Sequence, residues 1–208
     1  MLNIAVLVSG GGTNLQALID AQNRGELRGG RIGCVISSRP DAFALERAKK
    51  AGIPAEILVR RDFAEQAAYD GALLRLLERY DAGLIVLAGF MTIISKAVVG
   101  RYPNRIINIH PSLIPAFCGA GYYGLRVHEA VLDRGVRVTG ATVHFVNEVC
   151  DGGPIILQKA VEVLDDDTPQ TLQKRVMEQA EWQLLPRAVS LFCEGKLAVS
   201  GNRVRIKE

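Results

Sequence analysis

The stretch Ile4-Ala5-Val6-Leu7-Val8-Ser9-Gly10-Gly11-Gly12-Thr13-Asn14-Leu15-Gln16-Ala17-Leu18-Ile19-Asp20 decides the fold. Its first five residues form an unbroken apolar run, which fits a strand buried on both faces of a parallel sheet. The run breaks into three glycines, and from Leu15 onward the residues begin an amphipathic helix. Glycines between a buried strand and a helix start let backbone N–H groups turn toward an anion at the positive helix end. A tight turn needing glycine for its geometry alone is the other reading. The lysine of a nucleoside triphosphate cradle is missing. A dinucleotide fingerprint also fails, because Leu15 stands where its third glycine belongs. The second strand, Gly33-Cys34-Val35-Ile36-Ser37-Ser38, ends in no acidic residue to hold a ribose. A single phosphate is the expected anion.

Strands and helices then alternate. Phe43 to Ala51 reads as a helix stopped by Gly52, and Ala55 to Val59 as a short strand. Phe63 to Tyr80 reads as a helix with Leu73, Leu74 and Leu77 at helical spacing, followed by a strand from Leu84 to Ala88 and the apolar loop Gly89-Phe90-Met91-Thr92-Ile93-Ile94. Ile106 to His110 is the next strand. Such alternation implies right-handed crossovers and a mostly parallel sheet. The carboxyl ends of its strands share one edge, so the glycine loop, the Met91 loop and the tip at His110 are expected to converge. Beyond them lie a glycine- and aromatic-rich loop (Ala116–Gly124), a helix from Leu125 to about Asp133, and a long β-rich run from Val136 to Val146. The turn Asp151-Gly152-Gly153-Pro154 leads to a strand through Leu157. Thr168-Pro169 should cap a helix that runs toward Phe192 and kinks at Pro186, and Leu197–Val199 with Val204–Ile206 should form a terminal hairpin. The expected fold is α/β: a mostly parallel, doubly wound, Rossmann-like sheet with helices on both faces and an antiparallel C-terminal portion.

The totals narrow the function. The 25 basic and 22 acidic residues give a net charge of +3 and are dispersed, whereas a nucleic-acid surface needs a clustered basic stripe. Cys34, Cys118, Cys150 and Cys193 include no C-x-x-C pair, which argues against structural zinc and a disulfide framework. The N-terminus enters a strand directly, and no apolar run approaches membrane-spanning length. A cytoplasmic protein with no metal, no nucleic-acid partner and no membrane contact is expected.

Chemistry enters at Ile106-Ile107-Asn108-Ile109-His110-Pro111-Ser112-Leu113-Ile114-Pro115. Residues two apart on a strand share a face, so the Asn108 amide and His110 imidazole can point into the same space. An amide donor beside a titratable ring suits a reaction in which an oxyanion forms and a proton moves. Asp151 is either a plain turn former or a carboxylate leaning toward His110.

These motifs, with Ala88-Gly89-Phe90-Met91 and Val143-His144-Phe145-Val146, occur in order along nearly the whole chain. Together they resemble the phosphoribosylglycinamide formyltransferase family, the folate-dependent transformylases of purine synthesis. The resemblance implies one formyltransferase domain over 1–208, with a phosphate-binding half of about 1–100 and a folate and catalytic half of about 101–208. It implies that the amine of glycinamide ribonucleotide attacks the formyl carbon of 10-formyltetrahydrofolate, the co-substrate. Asn108 would donate to the oxyanion, His110 would act as proton donor, and Asp151 would raise the histidine pKa and orient water. Gly12, Thr13 and Asn14 match the loop holding the ribonucleotide phosphate, and Glu181 an acid contacting the ribonucleotide. Met91, Thr92, Ile93 and Ile94 match the loop lining the folate site, to which Gln66 and Asn108 also belong. A monomer or homodimer is expected.

The sequence departs from the family pattern at Thr92 and Gln66, each where an arginine is frequent. It departs again between Pro115 and His128, where Cys118 replaces a proline and the segment is about five residues longer; Tyr122 and Tyr123 are expected to reshape a lid there. The block around His110 and the distal Asp151 are shared with other formyl-transferring folate enzymes. Length is the expected discriminator, since transfer to methionyl-tRNA and formyltetrahydrofolate hydrolysis go with extra domains. A hydrolase with water as acceptor is the alternative, opposed by the glycine loop because water needs no phosphate cradle. Formyl transfer to a sugar nucleotide and a non-catalytic module on the same fold are the remaining readings.

Overall fold

The computed structural model describes residues 1–207. One nine-stranded sheet runs through it in the order β3-β2-β1-β4-β5-β6-β7-β9-β8. The strands are β1 (Leu2–Val8), β2 (Gly30–Ser37), β3 (Ala55–Ile57), β4 (Ala82–Leu87), β5 (Ile106–His110), β6 (Val138–Phe145), β7 (Ile155–Glu162), β8 (Leu197–Ser200) and β9 (Arg203–Ile206). β1 to β5 are mutually parallel, β6 is antiparallel to both β5 and β7, and the β8–β9 hairpin joins β7 through Ile155 and Arg203.

The helices are α1 (Thr13–Asn23), α2 (Phe43–Lys50), α3 (Gln66–Arg79), α4 (Lys96–Arg101), α5 (Leu125–Arg134), α6 (Pro169–Val176) and α7 (Trp182–Cys193). They cover both faces of the sheet. Along β1, Val6 and Val8 point into a core shared with Leu15 and Leu18 of α1 and Leu185 and Val189 of α7. Ala5 and Leu7 point the other way, against Leu73 and Leu77 of α3. The period of two that sends alternate side chains to opposite faces thus makes a strand buried on both sides read as one apolar run. Each such Leu or Val contributes roughly 1.5–3 kcal/mol by leaving water.

Several expected elements appear with shifted ends. The capped start at Thr168 is present, its hydroxyl accepting from Thr171 N–H, and Gly135 closes α5 in the left-handed conformation that glycine tolerates. The expected kink at Pro186 is displaced. The irregularity is a wide π-type turn at Met177–Glu181, while Pro186 lies inside α7. Pro186 has no N–H for the carbonyl one turn back, at Trp182, so the missing bond falls just where the wide turn ends. The short α4 carries no legible period, and Ser95 marks its start by accepting from Val98 N–H at 3.4 Å.

The register sets the stage for the site. Leu7 pairs with Leu87, and Leu87 with Asn108. The carboxyl ends of β1, β4 and β5 therefore finish level, and the loops leaving them start side by side.

Candidate active site

β5 ends at His110 because Pro111 follows and cannot extend the ladder. The turn beyond is fastened to the neighbouring strands. The Thr142 hydroxyl donates to Ser112 O at 2.7 Å and accepts from Ile114 N–H at 3.1 Å, and Gln158 Nε2 donates to Ile114 O at 2.9 Å. Across the antiparallel pair, Asn108 faces His144 and His110 faces Thr142.

Asp151 reaches this pair by a turn that only small residues permit. A Cβ on Gly153 would stand 1.8 Å from Phe145 O, and one on Gly152 would stand 2.8 Å from the Val149 Cβ. Asp151 itself has φ 53°, a left-handed conformation that aspartate enters more readily than most residues. The carboxylate is consequently folded over β5 and β6. Oδ2 lies 3.5 Å from His110 Nδ1, and Oδ1 lies 3.5 Å from His144 Nε2 and 3.4 Å from Asn108 Nδ2. Gly119 N–H donates to Oδ2 at 2.9 Å. Burial pushes this carboxyl up, but the His144 hydrogen bond, the His110 charge and the Gly119 N–H outweigh it and hold the pKa at about 2. The residue is thus an anion placed between two imidazoles, and the leaning carboxylate prevails over the plain turn.

Asp151 acts on His110 in the expected direction, raising its pKa, but other influences set the net shift. Burial is the largest influence and lowers it, Asp151 and the Phe117 carbonyl raise it, and His144 lowers it further; the result lies below the ordinary value of 6.5. The carboxylate acts in the expected direction, but the loss of water around the ring wins. His110 Nε2 donates to Phe117 O at 2.9 Å, so Nδ1 is the nitrogen that faces Asp151. Nδ1 pairs with the carboxylate when the ring is protonated.

His144, quoted within a motif but given no role, is the residue that sequence reasoning missed. Its Nδ1–H donates to Phe145 O at 2.8 Å, and its Nε2 lies 3.2 Å from the Asn108 amide nitrogen and 3.5 Å from Asp151 Oδ1. Pairing β6 against β5 on their alternation would have placed it opposite Asn108.

The residues matched to the ribonucleotide also assemble. Gly12 sits at φ 70° before α1, and a Cβ there would meet Ala44 at 2.7 Å, so the close approach of α2 as well as the turn requires glycine. Asn14 Nδ2 donates to Glu181 Oε2 at 2.6 Å, joining the start of α1 to the wide turn before α7. Thr13 Oγ1 approaches Met177 Sδ in that same turn at 3.7 Å. Burial pushes the Glu181 carboxyl up to about 7 against the Asn14 bond, and Asn14 Oδ1 is buried without a protein partner. Arg47 brings a cation to the back of the glycine loop, Nε donating to Gly11 O at 2.8 Å.

Of the residues matched to the folate, Met91 and Ile93 are large exposed apolar side chains, while Thr92 and Ile94 are partly buried. Ser9 ties their loop to the glycine loop: its hydroxyl accepts from Met91 N–H at 2.8 Å and shares a 2.6 Å bond with Ser38. Gln66 stands apart. Its amide donates to Asp70 at 2.7 Å and accepts from Arg60 at 2.8 Å, and Asp70 accepts from Ser95 at 2.6 Å, which is how Gln66 connects to the end of the Met91 loop. The residues matched to the two ligands also cross the expected halves, since Gln66 and Met91–Ile94 precede residue 101 and Glu181 follows it.

An amide, an imidazole and a carboxylate thus gather where the α/β sheet changes from parallel to antiparallel between β5 and β6. The formyl transferase family model matches residues 2–189, and the chain belongs to that family. Within it, the chain is 42% identical to phosphoribosylglycinamide formyltransferase of Escherichia coli over 97% of this chain and 92% of that one. It superposes on glycinamide ribonucleotide transformylase 1 of Symbiobacterium toebii with a TM-score of 0.94 at 45% identity, covering 100% of this chain and 95% of the other. A formyltetrahydrofolate deformylase of Pseudomonas syringae is more distant, at 26% identity and a TM-score of 0.88, covering 100% of this chain and 66% of that chain. Among the described residues no helix is long and apolar enough to cross a membrane.

Proposed function

We propose that this chain is a folate-dependent phosphoribosylglycinamide formyltransferase of purine biosynthesis. It moves the formyl group of 10-formyltetrahydrofolate to the amine of glycinamide ribonucleotide, giving N-formylglycinamide ribonucleotide and tetrahydrofolate in the cytoplasm. The observation that carries this reading is the meeting of Asn108, His110 and Asp151 within 3.5 Å contacts at one strand end. The amine lone pair forms a bond to the formyl carbon, and the carbonyl π electrons move onto oxygen. Asn108 Nδ2–H stabilises that oxyanion, exchanging its long 3.4 Å contact with Asp151 for the stronger partner. The oxyanion collapses, the bond from carbon to N10 of the folate breaks, the attacking nitrogen loses a proton and N10 gains one. His110 carries this proton through Nε2, which requires the Phe117 carbonyl to yield. Asp151 holds Nδ1 from behind and favours the charged ring.

The glycine loop receives the phosphate of the acceptor through the backbone of Gly12, Thr13 and Asn14, with Glu181 contacting the same ligand. Met91 to Ile94 wall the flat folate, and Gln66 and Asn108 complete its surroundings. One domain carries both ligand sites. The test is deformylation of 10-formyltetrahydrofolate by the purified chain with and without glycinamide ribonucleotide, with Asn108→Ala as a blank. Turnover that needs the ribonucleotide and vanishes in the variant supports the transferase. Equal turnover without it would make the protein a hydrolase.

A further inference from the structure

The loop that carries Phe117 and the turn that carries Asp151 each present a cysteine beside the other. Gly119 N–H donates to Asp151 Oδ2 at 2.9 Å, and the residues immediately before these two are Cys118 and Cys150. Cys150 is exposed, and its Sγ lies 3.8 Å from that same Asp151 oxygen. Cys118 is half-buried and turns its thiol to Pro115 O at 3.3 Å, a contact that a side-chain rotation releases. The other two thiols are packed away, Cys34 within the core beneath α3 and Cys193 against Gly30. None of the formyl-transfer steps uses any of them.

We propose that Cys118 and Cys150 form a dithiol modification site, at which exchange with a small-molecule disulfide closes a cross-link between the Phe117 loop and the Asp151 turn. One cysteine, as thiolate, attacks the reagent, breaking its S–S bond, forming a mixed disulfide and releasing one thiol. The second cysteine, as thiolate, attacks the protein sulfur of that mixed disulfide and expels the other thiol. Two protein thiols are oxidised, one disulfide is reduced to two thiols, and the two protons leave with them.

The consequence follows from what the loop already does. Phe117 O accepts from His110 Nε2, and Gly119 N–H holds Asp151. A bond between the neighbouring residues fixes both contacts, so Nε2 stays occupied and the proton path is closed. Reduction reopens it. Burial, Asp151 and, for Cys150, the neighbouring Cys118 disfavour both thiolates, so exchange is slow at neutral pH and quickens as pH rises.

The experiment treats the reduced full-length protein with glutathione disulfide at neutral and alkaline pH. The expected result is an intact mass lower by two hydrogens and a Cys118–Cys150 linked peptide in a non-reducing digest. Turnover should fall in step, roughly 10²-fold or more, the size of a lost proton-transfer step, and return with a dithiol reductant. Cys150→Ser should form no cross-link. Glutathione adducts without the linked peptide, or a complete cross-link with unchanged turnover, would overturn the proposal. The mass readout needs no activity, so failure of the formyl-transfer reading and failure of the cross-link are told apart.

Discussion

The imidazole of His144 stands directly opposite Asn108 in the β5–β6 register, with its Nε2 3.2 Å from the Asn108 amide nitrogen. His144 Nδ1–H is committed to Phe145 O, which fixes the ring in place beside the Asn108 amide. Removing the donor itself, Asn108→Ala, should lower kcat by roughly 10²–10³-fold with little change in KM. His144→Ala leaves the donor present but unoriented, and its kcat should fall by less. Equal kcat in His144→Ala and the parent protein would remove the orienting role.

Asp151→Asn should lower kcat while ligand binding persists. The sign of the accompanying pKa change is fixed: the carboxylate raises the His110 pKa, so its loss should move the His110 titration, followed by NMR, further below 6.5. Full turnover across the pH range would defeat the assignment.

Two buried groups pull stability in opposite directions. Glu181 keeps its proton up to about 7 in the folded chain against an ordinary value of 4.5, so its contribution is lost as pH rises through that window. His128 is fully buried with no partner at either ring nitrogen, and burial, aided by the His110 charge, lowers its pKa from 6.5 to about 4; its contribution is lost as pH falls. Each slope is at most about 1.4 kcal/mol per pH unit, and they oppose between 4.5 and 6.5. Glu181→Gln should therefore steepen the rise of Tm with pH, and His128→Leu should reduce or reverse it. Parallel Tm profiles for both variants would contradict this.

Gly153→Ala would drive a methyl into the Phe145 carbonyl. Overpacking of this kind costs roughly 1–3 kcal/mol, and here it also displaces the Asp151 turn. Chemical denaturation should show the stability loss, and kcat should fall with it.

Replacing Tyr122 and Tyr123 together by Ala should alter KM or turnover through the loop. Tyr122 packs edge-on against Phe117 at 6.3 Å, and Phe117 is the residue whose carbonyl holds His110. Unchanged Michaelis constants and unchanged kcat would show that the aromatic pair does not shape the lid.

The alternation from Ile4 to His110 made the parallel half readable, because β1 and β4 are buried on both faces and α3 keeps its period, whereas the exposed β3 and the short α4 left weaker marks. Asn108, His110 and Asp151 were legible as chemistry because polar groups interrupt apolar runs at strand ends. His144 was not, since its role comes from a partner 36 residues away across an antiparallel pair. The influence of Asp151 on His110 was legible, but the net direction of the His110 pKa was not, because sequence displays the carboxylate and not the depth of burial that outweighs it. The wide turn at Met177–Glu181 was read as a proline kink because a missing N–H is visible in sequence and the turn that absorbs it is not.

The placement of Glu181 carries an evolutionary consequence. Asn108, His110, His144 and Asp151 all lie between β5 and β7, whereas the Asn14–Glu181 pair is built from the first and last helical layers of the chain. Under the assignment proposed above, the choice of acceptor and the bond-making step occupy separate stretches of sequence. Drift in the outer stretches can retarget the enzyme to a new amine while the inner block passes unchanged from parent to descendant.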